Sequence, residues 1–267
     1  MRYSNLHNHT TFSDGTHTIE ENILAAIEKN MCSIGFSDHS YTPHEDSYCM
    51  QGRDYPAYLA ELKAMKEKYA DRIPVYAGLE LDYYSEIPEP GTFDYIIASV
   101  HYLIINGRSY GIDHSLSPDQ TGCIEVCGGD VLVMVQKYYD LLCAHVERCR
   151  PTMVGHFDVI TKFGIMPEED ERYREIAKTA LARVLKTCKY VEMNTGAISR
   201  GWRKLPYPMP YLLDTLRELG GEVVLNADSH HTDNLTCWFD EAVELLKAHG
   251  FDHINMFNGT GFDRVAI

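Results

Sequence analysis

The sequence predicts an α/β fold whose parallel sheet closes toward a barrel. Three observations point there. Short β-rich apolar runs alternate with longer helical patterns along the chain, and that alternation implies parallel strands joined by right-handed crossovers. Seven or eight such units can be counted, which favours a closed barrel over an open sheet. No fixed-period repeat and no Pro/Gly/Ser linker divides the 267 residues. Residues 1–267 are therefore expected to form a single domain.

The first strand is expected over residues 3–7. A helix over 19–29 follows, with Ile23, Leu24 and Ile27 on one face. A strand over 33–37 leads to a helix over 56–69 that carries Leu59, Leu62, Met65 and Tyr69 at helical spacing. Strands over 75–81 and 95–100 come next. The insert 104–127 then breaks the alternation: Asn106-Gly107 signals a hairpin turn, and a Gly/Asp/Ser-rich stretch follows. It reads as a hairpin and loop over one mouth of the barrel. A long helix over 130–148 precedes a short strand over 153–155. The acidic run Glu168-Glu169-Asp170-Glu171 opens a helix over 169–186, where carboxylates complement the helix dipole. A strand over 190–193, a helix over 211–219 stopped by Gly220-Gly221, and a strand over 222–226 complete the alternation. A helix over 234–249 ends at Gly250, and a last strand is expected over 253–256.

Composition excludes several functions. Lys and Arg number 24 against 39 Asp and Glu, for a formal charge of −15. Such a field repels phosphate backbones and anionic membranes alike, so neither nucleic acid nor membrane is an expected partner. No apolar run reaches the ~18 residues of a membrane span, and the N-terminus carries no secretory pattern. The eight cysteines are scattered with no C-x-x-C pair, which suits free thiols in a reducing cytoplasm rather than zinc-finger spacing. Oligomeric state leaves no mark in the sequence.

The 13 histidines are the outstanding feature. Together with acids, they gather where each expected strand ends: His7-Asn8-His9 then Ser13-Asp14-Gly15, Asp38-His39, Glu80-Leu81-Asp82, Ser99-Val100-His101, Gly155-His156-Phe157-Asp158, Glu192-Met193-Asn194 and Asp228-Ser229-His230. In a β/α barrel these ends surround one mouth, where catalysis is built. On extended chain, side chains two apart point to the same side, so His7 with His9, and Asp228 with His230, form pairs. Imidazoles and carboxylates in this number are metal ligands in type, suited to Zn, Mn, Fe or Co.

In order and spacing these motifs resemble the PHP (polymerase and histidinol phosphatase) superfamily over nearly the whole chain. The stretches 93–101, 155–158 and 192–195 resemble its histidinol-phosphate phosphatase branch. The resemblance implies a distorted (β/α)7 barrel, with the eighth expected strand peripheral, and three divalent ions (Zn, Mn or Fe) that hydrolyse phosphomonoesters. Carried over residue by residue, it implies one ion on His7, His9, Glu80 and Asp228, a second sharing Glu80 with His101 and His156, and a third on Asp14, His39 and His230. Asp14 is favoured over His17 because Asp14-Gly15-Thr16 stands where relatives carry His-Gly-Thr. His17 would then face substrate or solvent.

The expected reaction is hydrolysis of L-histidinol phosphate, a small-molecule step of histidine biosynthesis, by metal-bound hydroxide. No G-x-S-x-G elbow or P-loop offers another route. Glu80 as the bridge, with Asp228 and His230 as proton relays, makes up the expected catalytic set. Arg200, Arg203, Lys162, Asn194, His231 and His17 are the expected substrate contacts, Arg being suited to bidentate phosphate recognition. Asp82, Asp158, Glu45 and Asp46 would form an acidic rim for a cationic leaving group, and Asp38, Asp82 and Asp158 either orient histidines or are ordinary strand-end residues. Other readings are a phosphoesterase acting on nucleotides or phosphotyrosine, and a noncatalytic metal-binding module. His44, His114, His145, His249 and His253 read as structural or solvated, as do Cys123 and Cys127. The Tyr138-Tyr139 pair and Tyr207 with Tyr211 read as core or rim aromatics.

Overall fold

The computed structural model describes residues 1–44, 47–113 and 120–267; Glu45, Asp46 and His114 lie outside the described residues. In chain order the strands are β1 (Ser4–Asn5), β2 (Ser33–Phe36), β3 (Val75–Asp82), β4 (Tyr95–Ser99), β5 (Tyr102–Ile105), β6 (Arg108–Gly111), β7 (Met153–Val154), β8 (Tyr190–Asn194), β9 (Glu222–Asn226), β10 (His253–Phe257) and β11 (Phe262–Ala266). Seven of them form one sheet in the order β1-β2-β3-β4-β7-β8-β9, and every pairing in it is parallel. The helices are α1 (Ile19–Glu28), α2 (Tyr55–Lys68), α3 (Thr121–Val126), α4 (Val131–Cys149), α5 (Glu171–Val184), α6 (Gly196–Ser199), α7 (Pro210–Glu218) and α8 (Phe239–Ala248). They join the parallel strands as crossovers. None is long and apolar enough to cross a membrane.

The sheet nearly closes, and asparagines bridge the seam. β1 is only two residues long, so no continuous ladder joins it to β9. Instead Asn226 Oδ1 accepts from the Leu6 N–H at 2.8 Å, and Asn5 Oδ1 accepts from the N–H groups of His7 and Ala227, both at 3.1 Å. Further up, main chain takes over: His9 N–H donates to the Ser229 carbonyl at 2.8 Å and Ser229 N–H to the His7 carbonyl at 3.0 Å. Buried backbone donors need such partners. Below the seam the barrel is apolar, filled by Leu6, Tyr95, Ile97, Met153 and Val224. The Tyr95 ring occupies the space beside Gly78, where a Cβ would stand 2.1 Å from it.

The eighth expected strand is peripheral. β10 pairs antiparallel with β11, apart from the main sheet. Side chains hold it there: Glu222 on β9 accepts from His253 Nε2 at 2.7 Å and Asn255 Nδ2 at 3.0 Å, and pairs with Arg264. The hairpin forms where Asn106-Gly107 signalled it, with both residues at positive φ (53° and 78°). Asp170 caps α5 by accepting from the Arg172 N–H at 2.8 Å. α8 begins at Phe239 rather than at residue 234, because 232–234 form a 3-10 turn and Trp238 turns left-handed at φ 62°. Apolar spacing runs through that reversal without registering it.

His145 ties α4 to the sheet. It is fully buried, and its Nε2–H donates to the Leu81 carbonyl at 2.7 Å. Burial, the largest influence, pulls its pKa down from 6.5 to about 4. The unfolded chain therefore binds the extra proton between those values, and stability present above pH 6.5 is lost as pH falls toward 4. The loss should be roughly 3 kcal/mol. Urea titrations of zinc-free protein at pH 7 and 4.5 should show it, and His145→Gln, weaker at pH 7, should lack this component. An equal acid loss in the variant would remove the assignment.

Candidate metal centre

The residues on the strand ends converge at one mouth. His7 and His9 follow β1, and the chain then folds back on itself. Thr10 takes the Ser13 and Gly15 N–H groups on its carbonyl, both at 3.0 Å, and Thr16 N–H reaches the His230 carbonyl at 3.0 Å. That turn requires glycine, since a Cβ on Gly15 would meet the His9 carbonyl oxygen at 2.3 Å. Asp38 fixes the loop by accepting from Thr10 N–H at 2.7 Å and Ser13 Oγ–H at 2.6 Å. Among the described residues it makes no hydrogen bond to a histidine, so its part is to hold the loop that carries Asp14. His39 lies across from Glu80 by a parallel bridge. His101 and His156 follow β4 and β7, and Asp228 follows β9 at a left-handed φ of 46°.

Glu80 is the hub. Its Oε2 stands 3.3 Å from His7 Nε2, 3.7 Å from His9 Nε2 and 2.7 Å from His39 Nδ1. Its Oε1 stands 3.2 Å from His101 Nε2 and 2.9 Å from His156 Nε2. Asp228 Oδ1 lies 3.2 Å from His9 Nε2 and 3.6 Å from His230 Nδ1. Asp14 lies 3.7 Å from both His9 Nδ1 and His39 Nε2, and 3.2 Å from His230 Nε2. All of these side chains except Asp14 and His230 are buried.

The donor set fits metal ions. Four overlapping groups have their ligand atoms within 4.8 Å of one another: His9, Asp14, His39 and His230; His7, Glu80 and His156; His7, His9 and Asp228; His39, Glu80 and His101. Between them they contain all nine positions that the resemblance implied. Asp14 is in a group and His17 is not. His7 Nε2 and both ring nitrogens of His9 are buried with no hydrogen-bond partner among the described residues, an arrangement that normally costs stability. Burial opposes charge on Glu80, yet the imidazoles of His7, His39 and His101 hold its carboxyl well below the usual range. Burial, then His230 and His39, push His9 down to about 3. Burial opposes charge on His7, His39 and His101 too, but Glu192 beside His7 and Glu80 beside His39 and His101 raise all three, so a bound cation would displace protons that these rings hold among ionised carboxylates.

Surrounding groups aim these side chains. His7 Nδ1–H donates to Glu192 Oε1 at 2.7 Å, which leaves Nε2 facing Glu80. Glu192 also accepts from the His156 N–H at 2.8 Å, from Asn194 Nδ2 at 2.8 Å and from Asn226 Nδ2 at 2.9 Å. Sequence reasoning placed Glu192 at a strand end and gave it no role of its own. Its two-residue spacing from Asn194 was the available signal, since both point to one side of β8. Asp82 lies 3.3 Å from His101 Nδ1 and accepts from the His101 N–H at 3.1 Å. Asp158 does not touch His156; it accepts from the Met209 N–H at 2.9 Å.

The expected substrate contacts separate. Arg200 and Lys162 line the open pocket along with Asp14, His39, His101, His156, Asp228 and His230. Arg200 Nη1 donates to His230 Nδ1 at 2.8 Å, and Nη2 donates to Asp228 Oδ2 at 3.1 Å. Arg203 faces a neighbouring cleft, where it donates to the Thr161 carbonyl at 2.6 Å and pairs with Glu168 at 3.3 Å. Asn194 is buried under Asp228 at 3.4 Å. His17 and His231 meet edge to face, with ring centroids 4.4 Å apart, outside the pocket lining. His44 packs on Tyr84, His249 bonds Asp214 at 2.9 Å, and Tyr138, Tyr139 and Tyr207 are core residues. Two further pocket-lining residues, Tyr48 and Asp113, went unnoticed in the sequence.

A family model described as the PHP domain matches residues 5–196. A probable histidinol-phosphatase of Deinococcus radiodurans is 29% identical over 91% of this chain and 92% of its own length. A probable histidinol-phosphatase of Schizosaccharomyces pombe is 28% identical over 93% of this chain and 89% of its own. Among solved structures, histidinol phosphate phosphatase from Lactococcus lactis, complexed with zinc, L-histidinol and phosphate, superposes with a TM-score of 0.72 at 23% identity, covering 98% of this chain and 99% of that one. The chain belongs to the PHP domain family.

Proposed function

We propose that this protein is a metal-dependent phosphomonoesterase that hydrolyses L-histidinol phosphate to L-histidinol and phosphate. The observation that carries the reading is the convergence of imidazoles on the buried Glu80 carboxylate at the barrel mouth. Relatives named probable histidinol-phosphatase, aligned over nine-tenths of the chain, support the substrate. The Lactococcus lactis neighbour supports zinc as one metal of such a site.

His7, His9, Glu80 and Asp228 would hold one ion; Glu80, His101 and His156 a second; Asp14, His39 and His230 a third. When bound, divalent ions supply Lewis acidity toward phosphoryl oxygens and make water acidic enough to attack phosphorus near neutral pH. The chain's own residues do the rest. Glu192 fixes the ring of His7 so that Nε2 faces the centre. Arg200 and Lys162 border the same opening and supply positive charge for phosphoryl oxygens, Arg200 beyond its bonds to His230 and Asp228 and Lys162 beyond its bond to Asp113. Asp228, on the side bordered by Arg200, is placed to pass a proton to the leaving alkoxide, whereas His230, with Nδ1 accepting from Arg200 and Nε2 toward the third ion's ligands, has no ring nitrogen left for that role. Arg203, His17, His231 and Asn194 act away from the substrate in this reading.

Phosphate release from zinc-loaded protein should be faster with histidinol phosphate than with AMP or an aryl phosphate, compared by kcat/KM. Equal values across the three would sink the substrate assignment. Glu80→Gln should lose more zinc affinity than the ~10–100-fold typical of removing an outer partner of a ligand. Wild-type zinc content and turnover in that variant would remove the hub. Arg200→Ala, assayed with enough zinc to keep the site filled because Arg200 also bonds Asp228 and His230, should lower kcat/KM by roughly tenfold or more, the scale of a lost charge-assisted bond. An undiminished kcat/KM would move phosphate binding to Lys162.

A further inference from the structure

The acidic rim expected from sequence is otherwise engaged. Asp82 is tied to His101 and to the Tyr84 N–H, and Asp158 to Met209. The carboxylates of Asp14 and Asp228 belong to the centre. Among the described residues lining the pocket, that leaves one carboxylate outside the centre, Asp113.

The fold delivers Asp113 to this place by a specific route. The chain leaves the barrel at His101, runs out along β5, turns at Asn106-Gly107 and returns along β6. Ile112 N–H then donates to the His101 carbonyl at 2.6 Å. The Ile112 carbonyl accepts from the buried Gln120 amide, which also reaches the Ile160 carbonyl at 3.3 Å. Ile112 is fully buried and clamped on both sides, so the next residue is held at the pocket wall beside His101. Lys162 Nζ donates to the Asp113 carbonyl at 2.6 Å, while the carboxylate oxygen Oδ2 is farther, at 3.4 Å. The lysine's closer contact is thus with backbone, and the Asp113 carboxylate is not fully spent on it. The ring of Tyr48 lines the same pocket and meets His39 edge to face at 4.8 Å.

The pocket wall carries two charged pairs, Arg200 with Asp228 and Lys162 with Asp113. Arg200 stands on the Asp228 and His230 side. A carboxylate and an aromatic ring stand by His101 and His39. Carboxylates bind ammonium groups by charge-assisted hydrogen bonds, and aromatic faces attract cations.

We propose that Asp113, with the Tyr48 ring beside it, is the specificity determinant that receives the ammonium group of an amino-alcohol leaving group, as the phosphoryl end engages the Arg200 side of the pocket. The assignment rests on the phosphomonoesterase reading above. In it the insert carries Asp113 to the leaving-group side of the pocket.

The test compares wild type with Asp113→Asn and Asp113→Glu, all zinc-loaded, on histidinol phosphate and on phenyl phosphate, which has no ammonium. L-histidinol itself is also used as an inhibitor of phenyl phosphate hydrolysis. In Asp113→Asn the ratio of kcat/KM for histidinol phosphate over phenyl phosphate should fall at least about tenfold, chiefly through KM. The inhibition constant of L-histidinol should rise by a similar factor, and Asp113→Glu should recover part of both. A ratio and an inhibition constant within twofold of wild type in Asp113→Asn would overturn the proposal while leaving the phosphatase reading intact. Wild type that hydrolyses neither ester would instead overturn the reading on which it rests.

Discussion

The molecule is organised around a carboxylate withdrawn from water. Glu80 is buried with imidazoles on both of its oxygens. An isolated carboxylate there would cost several kcal/mol or would be neutralised by a proton. The compensation has to come from partners placed in advance, and those partners come from strands far apart in sequence. β3, the longest strand, holds Glu80 by main chain on both sides: Glu80 N–H to the Asp38 carbonyl at 3.3 Å and Ser40 N–H to the Glu80 carbonyl at 2.9 Å. The other candidate ligands, at strand ends or, for Asp14, in the loop beyond β1, must reach this point.

Closure of the barrel follows from the same constraint. The His7 and His9 pair leaves the first strand of the sheet, and the Asp228 and His230 pair leaves the last. They meet only if β1 lies against β9. A two-residue β1 cannot make that seam with a ladder, so Asn5 and Asn226 supply hydrogen bonds that main chain would otherwise make. Asn226 also donates to Glu192, which orients His7. The group that closes the barrel is thus one bond removed from a metal-site imidazole. Fold and site share a polar network above an apolar floor of Leu6, Tyr95 and Val224.

How far the sequence disclosed this depended on whether a residue's role is set locally. Strand ends are local: apolar runs stop at polar residues, and seven of the nine candidate metal-site positions stand at or just past those stops, with Glu80 inside β3 and Asp14 in the loop beyond His9. Helices with long regular spacing, such as α4 and α5, were equally legible. Residues whose role depends on distant partners were not. Arg200 and Arg203 are three apart and alike in sequence, yet Arg203 N–H turns back to the Ala197 carbonyl at 3.2 Å and its guanidinium goes to Glu168. Only the path after α6 distinguishes them. Asp38 and Asp82 occupy similar places after neighbouring strands, and one holds a loop while the other steers His101. Asp113 sits in an insert outside the alternation, where composition gives no register and only the return of β6 beside His101 fixes its position.

The acidity of the chain takes its meaning from this geometry. With a formal charge of −15, the surface as a whole offers nothing to an anion. At the mouth the balance is local: Arg200 and Lys162 are the basic side chains among the described residues lining the pocket, against Asp14, Asp113 and Asp228. Divalent ions held by those carboxylates would be the dominant local charge and would reverse the sign of the field over a few ångströms. Beyond roughly 8–10 Å in physiological salt that field is screened. An anionic ester therefore gains little from the protein at a distance and much within the pocket, which favours a small substrate that can enter completely over a polyanion that must also lie along the acidic surface.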